Sequence, residues 1–214
     1  MVLFIVFYDE HGHVYQLARA VAEGVQSVEG ASVKLFRTAE LGTSGSSHRK
    51  TGLQPKRPSD SIPVISANKL VEADAIIFGT ASKSGMMAAS MHNLLDQTHQ
   101  LRLDGALTGK VGSVFASTTI HNSRAETTFL TFYATLLHLG MIVVGVPYTE
   151  DRLLATTAFS GTNPYGALAL VDPGGFGEPG EAEIAIAHFQ GQYVAEVTRH
   201  LLLGKKSSTD TLSL

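Results

Sequence analysis

The chain has 214 residues, carries 16 Lys and Arg against 19 Asp and Glu, and contains no cysteine. The absence of cysteine excludes disulfides, thiolate metal sites and a cysteine nucleophile. The net charge of −3 gives no electrostatic reason to expect nucleic acid or an anionic membrane surface as a partner.

Apolar runs of strand length alternate with helical patterns along the chain. Buried strands are predicted over residues 3–8, 31–36, 73–78, 111–115 and 141–146. Three- and four-residue spacing of apolar side chains predicts helices over residues 14–28, 87–95, 127–139 and 181–203. Five apolar strands separated by helices indicate an α/β fold with a parallel sheet covered on both faces. Because the first strand is the most uniformly apolar, we expect it at the centre of a flavodoxin-like, doubly wound five-stranded sheet of order 2-1-3-4-5.

The pattern predicts a single domain over residues 1–204. Residues 38–66 and 148–179 are rich in Gly, Ser, Thr and Pro, so we expect them to form irregular excursions. A basic cluster in the first excursion is expected to be a solvated face: His48, Arg49, Lys50, Lys56 and Arg57. Residues 205–214 are polar and are expected to be a disordered tail. The apolar start lacks a basic leader and no later run has membrane length, so we expect a cytoplasmic protein.

The loop after the first strand reads Asp9-Glu10-His11-Gly12-His13 and leads directly into a helix. A helix N-terminus presents unpaired amides and the positive end of the helix dipole, which suits a phosphate group. The two carboxylates of this loop oppose a phosphate, however, because like charges repel at short range. Asp9 is equally well placed to cap the helix.

Two further polar loops follow the third and fourth strands. The second loop contains Thr80, Ser82, Lys83 and Gly85, and the third begins with Ser117 and Thr118 and reaches His121. The carboxyl ends of parallel strands meet at one edge of a sheet, so the three loops together predict a pocket there.

Segments along the whole chain resemble the WrbA family of flavodoxin-like NAD(P)H:quinone oxidoreductases. The residues that carry the resemblance are GHVYQLARAVAEG (12–24), ADAIIFGT (73–80), MHNLLDQT (91–98), GALTGKVGSVFAST (105–118), TLLHLGMIVVGVPY (135–148), SGTNPYGA (160–167) and IAIAHFQGQYVAEV (184–197). The resemblance implies a homotetramer that binds FMN and uses NAD(P)H to reduce a quinone or related aromatic by two electrons. It assigns the cofactor contacts to Gly12, His13, Val14, Thr80, Ser82, Lys83, Gly85, Ser117 and Thr118.

The departures from this family concentrate in the three loops. Asp9 stands where the family has Ser, and ASKSGMM (81–87) replaces Pro-Thr-Arg-Phe-Gly-Asn-Met. The third loop has no glycine between Thr118 and Arg124, although the family is glycine-rich there, and glycine lets a backbone approach a ligand closely. The scaffold matches while the loops differ, so we predict that FMN binding is weakened or lost.

Three functions remain open at this point. The first is an FMN-dependent NAD(P)H:quinone oxidoreductase. The second is a flavin-free family member that carries out acid–base chemistry on a quinone-like or aromatic small molecule, with these candidate acids and bases: Asp9, Glu10, His11, His13 and His121. The third is a non-catalytic binding protein. Asp9, His11 and His13 are close in sequence, but a turn without further ligands is a weak metal pattern, so we predict no metal site.

Overall fold

The computed structural model describes residues 1–41, 57–118, 125–150, 163–171 and 177–211, the last six of these as backbone alone. The strands are β1 Val2–Phe7, β2 Ser32–Arg37, β3 Ala75–Lys83, β4 Met86–Met87, β5 Val111–Thr118, β6 Ile142–Val143 and β7 Leu168–Leu170. The α-helices are α1 His13–Gln26, α2 Ala89–Asp96, α3 His99–Leu103, α4 Ala125–His138 and α5 Glu181–Thr211. Short 3-10 helices cover Pro58–Ser61 and Ala67–Glu72.

The main sheet has the order β2-β1-β3-β5-β6, and every neighbouring pair in it is parallel. This order confirms the predicted 2-1-3-4-5 arrangement of a flavodoxin-like α/β fold. β1 pairs with β2 on one side and with β3 on the other, with Leu3 opposite both Val33 and Ala75. A central strand is covered on both faces and both edges, which explains why residues 3–7 are all apolar and fully buried.

Side chains of β1 alternate between two separate hydrophobic cores, as the pleat of a strand requires. Leu3, Ile5 and Phe7 pack with α1 and α5 on one face of the sheet. Phe4 and Val6 belong to the core on the other face, which includes buried residues of α2 and α4. Helices therefore cover both faces, as predicted. Within the described residues, no helix combines the length and apolar character needed to cross a membrane.

The last position of the sheet is shared by two short strands. β6 pairs with Val111 and Gly112 at the start of β5, whereas β7 pairs with residues 116–118 at its end. The prediction that residues 148–179 are irregular throughout is therefore wrong for Leu168–Leu170. The buried amide of Gln190 on α5 holds this edge together, because it accepts the N–H of Ala167 at 2.8 Å and donates to the Val114 carbonyl at 2.9 Å.

The prediction of a disordered tail is also wrong in part, because α5 continues through Thr211. Residues 205–211 read KKSSTDT and contain neither proline nor glycine. Helix propagation adds one hydrogen bond for each residue that it fixes, so a helix held by packing further upstream extends into a polar run that lacks a breaker.

Helices α1 and α5 approach each other closely at two glycines. A Cβ atom on Gly24 of α1 would lie 1.8 Å from the backbone oxygen of His188. A Cβ atom on Gly191 of α5 would lie 2.0 Å from the backbone oxygen of Val21. The two backbones occupy the space that side chains would otherwise fill, so both positions require glycine.

Residues 57–61, which we call the strap, belong to the first excursion and lie against the loop after β1. The guanidinium of Arg57 donates from Nη1 to the carbonyl of Asp9 at 2.5 Å and to that of Glu10 at 3.4 Å. The hydroxyl of Ser59 donates to the carboxylate of Asp9 at 3.0 Å. The strap therefore fixes both the backbone and a side chain of the first loop.

Two carboxylates neutralise Arg57 within this arrangement. Nη2 of Arg57 lies 2.6 Å from Oε1 of Glu40 and 3.0 Å from Oδ1 of Asp60. Burial opposes the charge of Arg57, but the hydrogen bonds and charges of Asp60 and Glu40 outweigh it and raise the pKa of Arg57. Desolvation likewise opposes ionisation of Asp60, yet the hydrogen bonds and charge of Arg57 hold the pKa of that carboxyl below its ordinary value.

The glycine contact between α1 and α5 predicts opposite effects for two alanine variants of α5. Gly191→Ala should lower the free energy of unfolding by about 2 kcal/mol or more, because the new methyl group collides with backbone that cannot move aside easily. Gly204→Ala should be neutral or stabilising by about 0.5–1 kcal/mol, because nothing lies within 4 Å of its Cβ position. Urea unfolding followed by circular dichroism measures both. Equal stabilities of the two variants would contradict the close approach.

The Arg57 contacts predict a pH-dependent stability difference. Arg57→Ala should lower the free energy of unfolding by about 2 kcal/mol at neutral pH, since it removes charge-assisted hydrogen bonds. Asp60 has a lowered pKa in the folded state, so its contribution is present above the unfolded value and disappears as the pH falls through the folded value. The difference between variant and wild type should therefore shrink below about pH 4.

Arg19→Ala is the matched control for this measurement. Arg19 is 63% exposed and forms one ion pair, 3.8 Å from Glu23. Its loss should change stability by less than about 0.5 kcal/mol. The role assigned to the strap would be contradicted if Arg57→Ala lowered the free energy of unfolding by no more than this. It would also be contradicted if the loss of stability grew towards acid pH.

Candidate functional site

The loop after β1 places the carboxylate of Asp9 at the N-terminus of α1. Oδ1 accepts the N–H of Gly12 at 3.0 Å and that of Tyr15 at 3.3 Å. Oδ2 lies 3.1 Å from the same Gly12 nitrogen and accepts the hydroxyl of Ser59 at 3.0 Å. Gly12 has a φ of 99°, a left-handed conformation that glycine adopts without the strain that a side chain would cause. Only 5% of Asp9 is exposed, so the chain supplies its own buried anion at this helix end.

This arrangement does not fit the phosphate of FMN, which the family resemblance would place at the same amides. A phosphate beside the carboxylate would bring like charges together, and each pair of unit charges 4 Å apart costs about 4 kcal/mol at an effective dielectric of about 20. The cavity beside Asp9, which Thr38, Arg57 and Ser59 also line, has a volume of about 10 Å³. That volume is enough for about one water molecule, so the strap packs closely against the side of Asp9 that faces away from α1.

The second loop is a β-hairpin in which β3 continues past the sheet and pairs with the antiparallel β4. Lys83 lies opposite Met86, and the two residues between them have positive φ angles of 52° at Ser84 and 77° at Gly85. Two consecutive residues of this kind form the tight turn that matches the twist of paired strands. The sequence prediction started a helix at residue 87 and is wrong here, because α2 begins at Ala89.

The hairpin contacts the first loop through an ion pair. Nζ of Lys83 lies 2.5 Å from Oε2 of Glu10, and the two side chains are 57% and 34% exposed. The hydroxyl of Thr80 accepts the N–H of Ala88 at 2.9 Å, and that of Ser82 is 2.7 Å from the hydroxyl of Thr128. Thr80 and Ser82 therefore hold the hairpin in place, while Lys83 brings the first two predicted loops together.

The third loop is described only at its start. Ser117 and Thr118 end β5, both are buried, and Ser117 is in register with Ala81 at the base of the hairpin. The carbonyl of Thr118 accepts the N–H of Val171 after β7. The candidate His121 lies outside the described residues.

The two candidate histidines of the first loop have different surroundings. His11 is exposed, and its ring centroid is 6.3 Å from that of His13. His13 is 4% exposed, and its Nε2 lies 2.9 Å from the carbonyl of Gly177. His13 therefore joins the first loop to the segment between β7 and α5. Val14 is only 1% exposed and belongs to the core beneath α1, so its side chain is a packing residue.

Sequence reasoning missed the strap. Arg57 was expected on a solvated face, but its side chain is only 17% exposed and it contacts four residues. Its partners Asp9 and Glu10 are more than forty positions away along the chain, so no local pattern indicates the contact. The rest of that basic cluster lies outside the described residues. In the described ranges, no group of three or more His, Asp or Glu side chains is arranged to hold a metal ion.

A family model and the similar sequences both indicate a flavin-dependent or quinone-reducing oxidoreductase family. The sequence model of the NADPH-dependent FMN reductase family matches residues 5–150. An NAD(P)H dehydrogenase (quinone) from Trichlorobacter lovleyi is 51% identical over 198 residues, which cover 92% of this chain and 97% of that protein. A protein of the same name from Aromatoleum aromaticum is 44% identical over 201 residues and covers 94% and 97% of the two chains.

Comparison with solved structures gives the same fold at low sequence identity. The flavodoxin-like, WrbA-like protein from Agrobacterium tumefaciens superimposes with a TM-score of 0.63 at 18% identity and covers 93% of this chain and 98% of that one. Oxidised flavodoxin 1 from Bacillus cereus gives a TM-score of 0.58 at 16% identity, with coverages of 92% and 98%. The chain therefore belongs to the NADPH-dependent FMN reductase family, with proteins named NAD(P)H dehydrogenase (quinone) among its relatives, and it has the fold of a flavodoxin-like, WrbA-like protein.

Proposed function

We propose that the protein is an FMN-dependent NAD(P)H:quinone oxidoreductase that reduces a quinone or related aromatic by two electrons. The observation that carries the proposal is the 51% identity, over 92% of this chain, to a protein named NAD(P)H dehydrogenase (quinone). A flavin bound at this edge would supply the chemistry of hydride transfer between the nicotinamide and the acceptor. The protein's contribution is to bind and orient these molecules at the carboxyl edge of the sheet.

The accessible parts of the first loop and the hairpin support this location. Glu10 and Lys83 form a partly exposed ion pair across the edge, and Met86 is 44% exposed beside them. We assign the planar part of the flavin to this surface, with Gly12 and Gly85 as close backbone neighbours. Because Asp9 occupies the amides at the start of α1, we propose that FMN is held weakly rather than as a permanent prosthetic group.

The flavin-free acid–base alternative has less support from the described contacts. Asp9 accepts three donors at a helix end, and His13 is engaged with a backbone carbonyl. An acid–base pair needs a histidine whose partner carboxylate orients it towards a substrate. Asp9 and His13 each bond to other groups instead, and His121 lies outside the described part of the chain.

The activity is tested with purified protein, added FMN, NADH or NADPH, and a benzoquinone. We expect flavin-dependent consumption of one nicotinamide per quinone reduced. Lys83→Ala should weaken flavin binding several-fold, because the hairpin loses its contact with Glu10 in the first loop. Fluorescence titration of FMN measures the binding and nicotinamide absorbance measures the turnover.

Lys69→Ala is the matched control, since Lys69 also forms a partly exposed pair with a glutamate, 3.4 Å from Glu72, away from the proposed site. It should leave both readouts unchanged. Absence of flavin binding and of quinone reduction in the wild type would contradict the proposed function. Equal effects of the two lysine variants would contradict the assignment of the site to the hairpin.

We also propose the homotetramer that the family resemblance implies. On α4, an exposed apolar stripe runs through Leu130, Ala134 and Leu137, and the two leucines are 52% and 63% exposed. Residues spaced by four and three positions share one face of a helix, and exposed apolar faces of this kind favour helix–helix contact between subunits. A cytoplasmic location is part of the same proposal, and fractionation of cells that produce the protein tests it.

The stripe predicts a change in assembly. The double variant Leu130→Glu, Leu137→Glu should shift the protein from tetramer to smaller species, because four carboxylates would be buried unpaired at each symmetric contact of two subunits. Leu103→Glu is the control, since Leu103 is 64% exposed on α3. Sedimentation velocity measures the mass in solution. A monomeric wild type, or equal effects of both changes, would contradict the role of α4.

A further inference from the structure

The carboxylate of Asp9 takes the place that an anionic ligand would use at the start of α1. Three donors reach it, namely the N–H groups of Gly12 and Tyr15 and the hydroxyl of Ser59. A phosphate at this helix end would compete for two of the same donors, because the N–H groups of Gly12 and Tyr15 are among those that the first turn leaves without a partner inside the helix. Binding of a phosphate there requires a buried carboxylate to leave its hydrogen bonds, since only 5% of Asp9 is exposed.

The charges around this loop also oppose a phosphate. Arg57 is already paired with two carboxylates, and Lys83 is already paired with Glu10. Among the described residues, the charged groups closest to the loop and strap are four carboxylates and three cations: Asp9, Glu10, Glu40 and Asp60, and Arg37, Arg57 and Lys83. Carboxylates therefore already compensate Arg57 and Lys83, and Nε of Arg37 donates to the carbonyl of Ile62 at 2.9 Å.

An uncharged hydroxyl has no such obstacle. A carboxylate offers about four acceptor positions, and the three donors described above use about three of them. The end of a sugar-alcohol chain that carries a hydroxyl in place of a phosphate is a hydrogen-bond donor, and a carboxylate attracts a donor rather than repelling it. A neutral hydroxyl also carries no charge that the carboxylate of Asp9 would repel.

We propose that Asp9 is a specificity-determining residue that replaces the ligand phosphate with a carboxylate of the chain, so that the site selects a flavin with an uncharged ribityl end over FMN. This inference rests on the proposed function, since it concerns which flavin that function uses. It predicts that riboflavin binds the wild type at least as tightly as FMN does.

The test is a fluorescence titration of riboflavin and of FMN against the wild type and two variants. Asp9→Ser removes the carboxylate and keeps a small capping group, and Asp9→Asn keeps the shape of the side chain without its charge. Both variants should bind FMN about tenfold more tightly than the wild type, which corresponds to about 1.4 kcal/mol, and riboflavin within about threefold. Asp104→Asn on the distant side of the fold changes the net charge equally and should alter neither affinity.

Two results would overturn the proposal: a wild type that prefers FMN over riboflavin by tenfold or more, or Asp9 variants in which the ratio of the two affinities is unchanged. If neither the wild type nor any variant binds either flavin, the proposed function fails and the ligand selection fails with it.

Thermal unfolding with added inorganic phosphate then tests the role of Asp9 itself. Phosphate should raise the Tm of Asp9→Ser more than that of the wild type, and an equal rise would show that Asp9 does not fill the anion position.

Discussion

The N–H groups at the start of α1 need acceptors, and in this protein the carboxylate of Asp9 accepts two of them, from Gly12 and Tyr15. Those N–H groups have no partner within the helix, and they lie directly after the central strand of the sheet, where a doubly wound fold binds its ligands. The carboxylate of Asp9 accepts two of these N–H groups and also the hydroxyl of Ser59. The guanidinium of Arg57 donates to the backbone carbonyl of Asp9 in the same loop. The conformation of the first loop, the position of the strap and the room left for a ligand therefore all depend on one buried anion.

The scaffold around this loop is built on contacts that tolerate little change. Gly24 and Gly191 let α1 and α5 meet backbone to backbone, and Gln190 joins α5 to the divided edge of the sheet. These contacts involve residues within segments that resemble the WrbA family. The loops around the proposed ligand site depart from the family sequence. They carry a tight hairpin turn at Ser84 and Gly85 and a carboxylate at residue 9. Packing constrains the residues of the scaffold, whereas the loops around the site are less constrained, so one fold can carry sites with different affinities for a ligand.

Much of the fold was predictable from periodicity, because buried strands and amphipathic helices repeat at fixed spacings. The uniform apolar character of residues 3–8 predicted the order of the five strands. For the first loop, the sequence predicted either a phosphate site or capping of the helix by Asp9. The strand Leu168–Leu170 was missed because only three residues pair, within a stretch rich in Gly and Pro. The site was less predictable. The hairpin uses a serine with positive φ, which sequence rarely indicates, and Arg57 reaches its partners across more than forty residues.

By itself, the sequence determined the fold class, the central position of β1 and the family, since these depend on patterns that extend along the whole chain. It also placed a carboxylate at the start of the first helix, but it left open whether that group capped the helix or faced a ligand. Only the tertiary structure decided this, because the deciding contacts come from Ser59 and Arg57, which the fold carries back to the loop from a distant part of the chain. Hydrogen bonds between residues far apart in sequence depend on the completed packing, and no local pattern encodes them.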